Sequence, residues 1–212
     1  MGTAPTNNLE IEIKIRLGSF MDYLKLVGRL SPIDEEIQHI NCFFDSEDRR
    51  LAKGGWALRV RAESHRGLVT IKSIPTQAGM AVVRREIESE IPRGLAMDIL
   101  ALRHDVLTVD TPPVQFIKTE FPGVELTKLI LFENTRQLKK YTIGDCEYLL
   151  EIDKTAFSDG SVEYELEVEF TDMAQLDKIE EGLRRLLASL DIPFERQSDS
   201  KFHRALKKAR LL

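Results

Sequence analysis

Two kinds of side chain recur in phase along this sequence, and together they describe an oxygen-ligand metal site beside a clamp for phosphate. Glu10 and Glu12 lie near the N-terminus, Asp153 stands alone, and Glu165 and Glu167 alternate farther on. Carboxylates grouped on two strands are the ligands that Mg²⁺ and Mn²⁺ prefer. The cationic partners are Lys14 and Arg16, Arg59 and Arg61, Lys72, Arg84 and Arg136. Rows of Arg and Lys grip phosphate oxygens through charge-assisted hydrogen bonds. A metal-bound phosphate compound satisfies both halves of the pattern.

The elements that carry these residues read as strands of strict alternation. In residues 9–17, Glu10, Glu12, Lys14 and Arg16 share one face and Ile11, Ile13, Ile15 and Leu17 the other. Residues 38–45, 56–61, 67–72, 82–91, 128–143, 147–157 and 162–170 repeat the theme, giving about eight strands with charge on one side. Residues 46–55 and 75–79 read as turns, residues 108–113 as a loop, and residues 116–122 are ambiguous. Helices are expected at residues 20–30, with Phe20, Leu24, Val27 and Leu30 as the apolar face, at 95–107, at about 172–190 and at 200–209. Helices packed outside a curved sheet would turn the charged faces inward, producing an eight-stranded antiparallel β-barrel of α+β class with a charged bore. The same alternation also fits an open sheet whose charged face meets solvent.

Composition bounds the partners. The chain has 212 residues, 42% of them hydrophobic, and a net charge of −5. That suits one domain with a real core, preceded by a tail at residues 1–8, and argues against a nucleic-acid binder. Cys42 and Cys146 are far apart and read as buried free thiols. With no apolar leader and no long apolar run, the reading is a cytoplasmic protein without membrane contact, a monomer or a homodimer. Gly2 and Thr6 match the myristoylation pattern formally, but no polybasic stretch follows to make a second membrane signal. His39, His65, His104 and His203 form no spacing motif, and no G-x-S-x-G, P-loop or H-E-x-x-H pattern appears. Trp56 precedes the Arg59/Arg61 pair, where it either packs in the core or stacks on an organic group.

The order of these pieces resembles the CYTH superfamily, the triphosphate tunnel metalloenzymes. Its E-x-E-x-K hallmark matches Glu10, Glu12 and Lys14. Phe43-Phe44-Asp45, Leu58-Arg59-Val60-Arg61, Thr70-Ile71-Lys72, Arg84-Arg85-Glu86, Arg136, Asp153, Glu165-Leu166-Glu167 and Ser200-Lys201-Phe202 follow in sequence. The resemblance implies a tunnel in which Glu10, Glu12, Glu165 and Glu167, with Asp153 close by, hold Mg²⁺ or Mn²⁺. It places Lys14, Arg59, Arg61, Lys72, Arg84, Arg136 and Lys201 on the phosphates, and Asn134 departs from the basic residue that relatives often carry there. It implies metal-dependent hydrolysis of inorganic triphosphate, ATP or thiamine triphosphate, in which Glu10, Glu12, Lys14, Arg59, Arg61, Lys72 and Arg136 carry the chemistry. The alternatives are an adenylyl cyclase of class IV and a barrel that binds nucleotides or polyphosphate without turnover.

Overall fold

A computed structural model describes residues 6–211, with side chains from residue 9; Gly2 and the first five residues of the expected tail lie outside it. The elements in chain order are β1 (Thr6–Leu17), α1 (Phe20–Leu30), β2 (Glu35–Asp45), α2 (Arg50–Lys53), β3 (Trp56–Ala62), β4 (Arg66–Ser73), β5 (Thr76–Ala78), β6 (Ala81–Pro92), α3 (Arg93–Leu100), α4 (Pro112–Glu120), β7 (Thr127–Ile143), β8 (Cys146–Ala156), β9 (Val162–Phe170), α5 (Leu176–Ala188), β10 (Glu195–Arg196) and α6 (Lys201–Lys208). Short 3₁₀ turns at Val106–Thr108 and Met173–Gln175 complete the chain.

Eight strands form a closed antiparallel ring in the order β1-β9-β8-β7-β2-β3-β4-β6, and β6 returns to β1 over the register Thr6↔Glu88 to Ile13↔Ala81. Closure removes the free edges that an open sheet would leave. Strands β10 and β5 only extend the outside of β1 and β6. The fold is therefore α+β with a tunnel, and the open-sheet alternative fails because β1 is paired on both sides.

Apolar faces point outward under helices. One layer joins Ile13, Ile15, Leu150, Ile152 and Leu166 of the ring to Leu26 of α1 and to Ile179 and Leu183 of α5. A second joins Leu58, Val60, Val69 and Ile71 to Leu51, Ile99, Val114 and Ile117 of α2, α3 and α4. Each such buried aliphatic side chain contributes about 1.5–3 kcal/mol. Helix α6 packs differently: Phe202, Ala205 and Leu206 meet Phe43 and Phe132, which belong to the charged phase of their strands, and Phe157, just past the end of β8. Phe202 stacks on Phe43 with ring centroids 4.2 Å apart. This apolar plug closes one end of the bore.

Several boundaries differ from those expected. Strand β1 begins at Thr6, so residues 6–8 belong to the ring. Helix α1 buries Tyr23, Leu26 and Leu30 and leaves Phe20 and Leu24 exposed, because Tyr23 packs its ring 5.0 Å from Tyr164 and sets the phase. The helix expected at 95–107 ends at Leu100, where Leu102 turns into the left-handed region at φ 59° and Asp105 accepts from the Leu107 N–H to start a separate turn. Pro112 and Pro113 open α4 instead of ending a loop, since the first helical turn needs no N–H from them. The turns at 46–55 and 75–79 hold α2 and β5. Asp45 anchors the first by accepting from the N–H groups of Ser46, Leu51 and Ala52.

Candidate metal and polyanion site

The bore contains a cavity of about 1050 Å³ lined by carboxylates, guanidinium groups and lysines from seven of the eight ring strands and from α6, while β2 contributes Ile37, His39, Asn41 and Phe43. Period-two alternation makes the lining charged, and the stagger of the ring decides which charges meet. The five carboxylates expected to form one metal site fall into two groups. Glu10 and Glu12 of β1 meet Glu169 of β9, while Asp153 of β8 meets Glu165 and Glu167 of β9; within each group, oxygens lie within 4.8 Å of one another. Lys14 stands between the groups, its Nζ 3.1 Å from Glu12 and 2.7 Å from Glu167.

The two groups differ in how far the protein already neutralises them. Asp153 is fully buried and accepts from Arg136 Nε at 2.8 Å and Nη2 at 2.6 Å, and from Asn134 at 2.9 Å. Lys201 from α6 lies 2.7 Å from Asp153 and 3.0 Å from Glu167 and also pairs with Glu165. Arg204, one turn later, donates to Glu165 at 2.6 Å. Burial works to raise the Asp153 carboxyl, but Arg136 and Lys201 outweigh it and hold the group well below the usual range. In the other group Glu10 is bound by Arg84 at 2.5 Å and by Lys72 at 3.0 Å. Burial again opposes, and Lys72 with Arg84 keeps Glu10 far below the usual range. Glu169 is the exception: burial and the charges of Glu151, Glu10 and Glu12 push its carboxyl up to about 8. A carboxylate crowded by like charge is what an added cation relieves, and the all-oxygen donor set suits a hard divalent ion.

The basic residues line the same space. Lys14, Arg59, Arg61, Lys72, Arg84, Arg136 and Lys201 all face the cavity. Arg59 contacts Thr70 and Glu88, and Arg61 donates to Asn41 at 2.8 Å. Burial, Arg59 and Arg136 together push the Arg61 guanidinium down to about 10, which marks a local excess of positive charge on that wall. Arg16 stands apart: it is exposed at the end of β1, 3.4 Å from Glu195 of β10, and does not line the cavity. Strand phase puts it in line with Lys14, but β6 pairs with β1 only as far as Ile13, and β10 is the neighbour on that side at Arg16. Asn134, noted as a departure from the family pattern, is buried and joins Asp153 to Thr155. Trp56 packs on Phe116 with ring centroids 4.5 Å apart and also contributes to the cavity lining.

Residues that sequence reasoning passed over include Glu169, Glu151, Glu86 and Arg204. Glu151 pairs with Arg136 and Glu86 lies 2.8 Å from Lys72. Both share strand phase with residues that were singled out, and Glu86 even closes the Arg84-Arg85-Glu86 stretch, of which only Arg84 was read as a site residue. Cys42 is buried, its thiol pushed up by burial to about 12, and Cys146 is only partly covered. No described helix is long and apolar enough to cross a membrane.

The fold recurs in solved structures. A candidate adenylyl cyclase from Hippeastrum, described as having a dominant triphosphatase activity, shares 26% identity over 96% of this chain and 97% of its own, with a TM-score of 0.82. A candidate adenylate cyclase from Bacillus halodurans shares 21% over 92% and 97%, TM-score 0.69. A Pyrococcus horikoshii protein shares 17% over 94% and 99%, TM-score 0.60. No curated protein matches significantly. The CYTH domain family matches residues 8–201, nearly the whole ring and the start of α6, and the chain belongs to that family.

Proposed function

We propose that this protein is a divalent-metal-dependent triphosphatase acting on a triphosphate compound held in the bore. The observation that carries the reading is that Glu10, Glu12, Glu167 and Glu169 line one cavity together with Lys14, Arg59, Arg61, Lys72, Arg84, Arg136 and Lys201, while Asp153 and Glu165 are buried beside Glu167. The triphosphatase activity described for the Hippeastrum protein supports it.

Glu10, Glu12 and Glu169 are the residues that would hold Mg²⁺ or Mn²⁺ first, because Glu169 lacks the compensation that Lys201, Arg136 and Arg204 give to Asp153, Glu165 and Glu167. A divalent ion there supplies Lewis-acid polarisation of phosphoryl oxygen and acidifies bound water. Arg59, Arg61, Lys72, Arg84 and Arg136 bind and orient the phosphate chain and stabilise charge that develops on the transferred and leaving groups. Lys14, wedged between the carboxylate groups, holds Glu12 and Glu167 together and would add a cation to the phosphate clamp. Lys201 and the aromatic plug exclude water from the closed end.

The test is release of phosphate from inorganic triphosphate, ATP and thiamine triphosphate with Mg²⁺ and with Mn²⁺, while cyclic AMP is followed in parallel. The reading expects metal-dependent phosphate release that falls at least about 100-fold in Glu12→Gln. Cyclic AMP and pyrophosphate as the main products from ATP would instead identify a cyclase, and binding without turnover a polyphosphate-binding barrel.

A further inference from the structure

Three aliphatic side chains stand on the charged phase of the ring and take part in none of the apolar layers described above. Ile37 of β2, Leu138 of β7 and Leu68 of β4 line the cavity, yet no apolar cluster among the described residues includes them. Ile37 and Leu138 are half-buried, and Leu68 is buried. The aromatic residues at the closed end of the bore are covered by α6. These three have no such cover.

Register fixes how far from the plug they lie. Moving away from Phe132, the facing pairs of β2 and β7 are Asn41↔Phe132, His39↔Asn134 and Ile37↔Arg136, and Leu138 follows two residues beyond Arg136. On the neighbouring wall, Ala57 packs against the plug and pairs with Lys72, whereas Arg61, four residues farther along β3, pairs with Leu68. Arg61 and Arg136 therefore each have an aliphatic neighbour across the strand pair. The aliphatic group lies toward the end of the bore that α6 leaves uncovered.

The pairing states what could fill that place. Apolar surface is stabilised by covering it with other apolar surface, and phosphate oxygens go to the guanidinium groups. A ligand that satisfies both carries a phosphate chain with a weakly polar group attached at one end. Inorganic triphosphate has no such group; a triphosphate ester does.

We propose that Ile37, Leu138 and Leu68 form the subsite for the organic group of the substrate, and that the substrate class is a triphosphate ester whose phosphate chain is held from Arg61 and Arg136 inward. This rests on the triphosphatase reading above and narrows it.

The experiment uses the full chain with Mg²⁺ and two esters, methyl triphosphate and phenyl triphosphate, which carry the same charge and differ in apolar surface. Wild-type protein that neither binds nor hydrolyses these esters or inorganic triphosphate overturns the functional reading, and the subsite with it. Given turnover, KM for the phenyl ester should be about tenfold below that for the methyl ester, the effect of covering part of one aromatic ring. In Ile37→Thr/Leu138→Asn that ratio should fall below about threefold, while KM for the methyl ester moves less than about twofold. Equal KM for the two esters in the wild type, or a ratio that survives in the double variant, overturns the subsite and leaves the triphosphatase reading standing. Should the double variant fail to fold, Leu138→Asn alone, at a half-buried position, carries the same comparison.

Discussion

Glu169 sits beside Glu10, Glu12 and Glu151, and its carboxyl is pushed up to about 8 by burial and those three charges. Much of its surface still meets water in the lumen, which lessens the size of the effect but not its direction. In the unfolded chain the group returns to about 4.5, so the folded protein binds the proton more tightly. The resulting stabilisation is present in full below the unfolded value and is lost as pH rises through about 8. In EDTA, the melting temperature should decline between pH 6 and pH 9, and Glu169→Gln should flatten that decline; parallel curves would assign it to other groups. Arg136 poses the opposite case, a guanidinium that serves Asp153, Glu151 and Glu167 together. Arg136→Met should cost about 3–5 kcal/mol in urea unfolding of the ligand-free protein, since it strands buried carboxylates. Adding Asp153→Asn should recover part of that. At this scale the alternation revealed which side chains face the bore but not how high along it each one stands. Height depends on the stagger of eight strands, which is why Asp153, Glu165 and Glu167 parted from Glu10 and Glu12, and why Arg16 fell outside.

Helix α5 seats on the ring by one close approach. Gly182 is buried among apolar residues, and a Cβ there would collide with the side chain of Ile143 on β7. Helix propensity alone favours Ala over Gly by about 1 kcal/mol. Overpacking costs about 1–3 kcal/mol in a site with no room to relax, and Ile143 is itself buried. Gly182→Ala should therefore destabilise the protein by about 1–2 kcal/mol in urea, with Ile143→Val relieving it in the double variant; a stabilised Gly182→Ala would mean that α5 simply shifts. Strands were the most legible elements, because a period of two survives in any context. Helix α5 was legible too, from Leu176, Ile179, Leu183, Leu186 and Leu187. Helix α1 was found but its face was only partly right: Leu30 is buried and Val27 packs on the core as expected, whereas Phe20 and Leu24 are exposed and Tyr23 and Leu26 take their place, both pairs fitting the apolar stripe. Helix α4 was missed because two prolines in succession look like a stop until they are placed in a first turn. The role of α6 in plugging the bore was beyond periodicity, since Phe43 and Phe132 carry no mark of the partner that covers them.

Taken whole, the bore is a set of carboxylates and cations that satisfy one another until something displaces them. Lys72 and Arg84 hold Glu10, Arg84 also holds Glu12, and Lys14 bridges Glu12 to Glu167. In the proposed function, a phosphate chain that claims Lys72 and Arg84 deprives Glu10 and Glu12 of their counter-charge, and a divalent ion on Glu10, Glu12 and Glu169 would replace it. The converse holds as well, because phosphate that draws Lys72 and Arg84 away leaves the carboxylates free for metal. Binding of the two should thus be mutually reinforcing, and linkage requires the same factor in both directions. Couplings of this kind are typically worth about 1–3 kcal/mol, or roughly 5–150-fold in affinity. Calorimetric titration of a non-hydrolysable triphosphate analogue with and without Mg²⁺ measures the factor one way, and titration of Mg²⁺ with and without the analogue measures it the other. Ligand at about 100 times its dissociation constant adds about 2.7 kcal/mol of stability, which for about 200 residues raises the melting temperature by about 5–10 °C. With both ligands present the shift should exceed the sum of the separate shifts. Strictly additive shifts would mean that Lys72 and Arg84 never leave Glu10 and Glu12, and that metal and phosphate occupy independent parts of the bore.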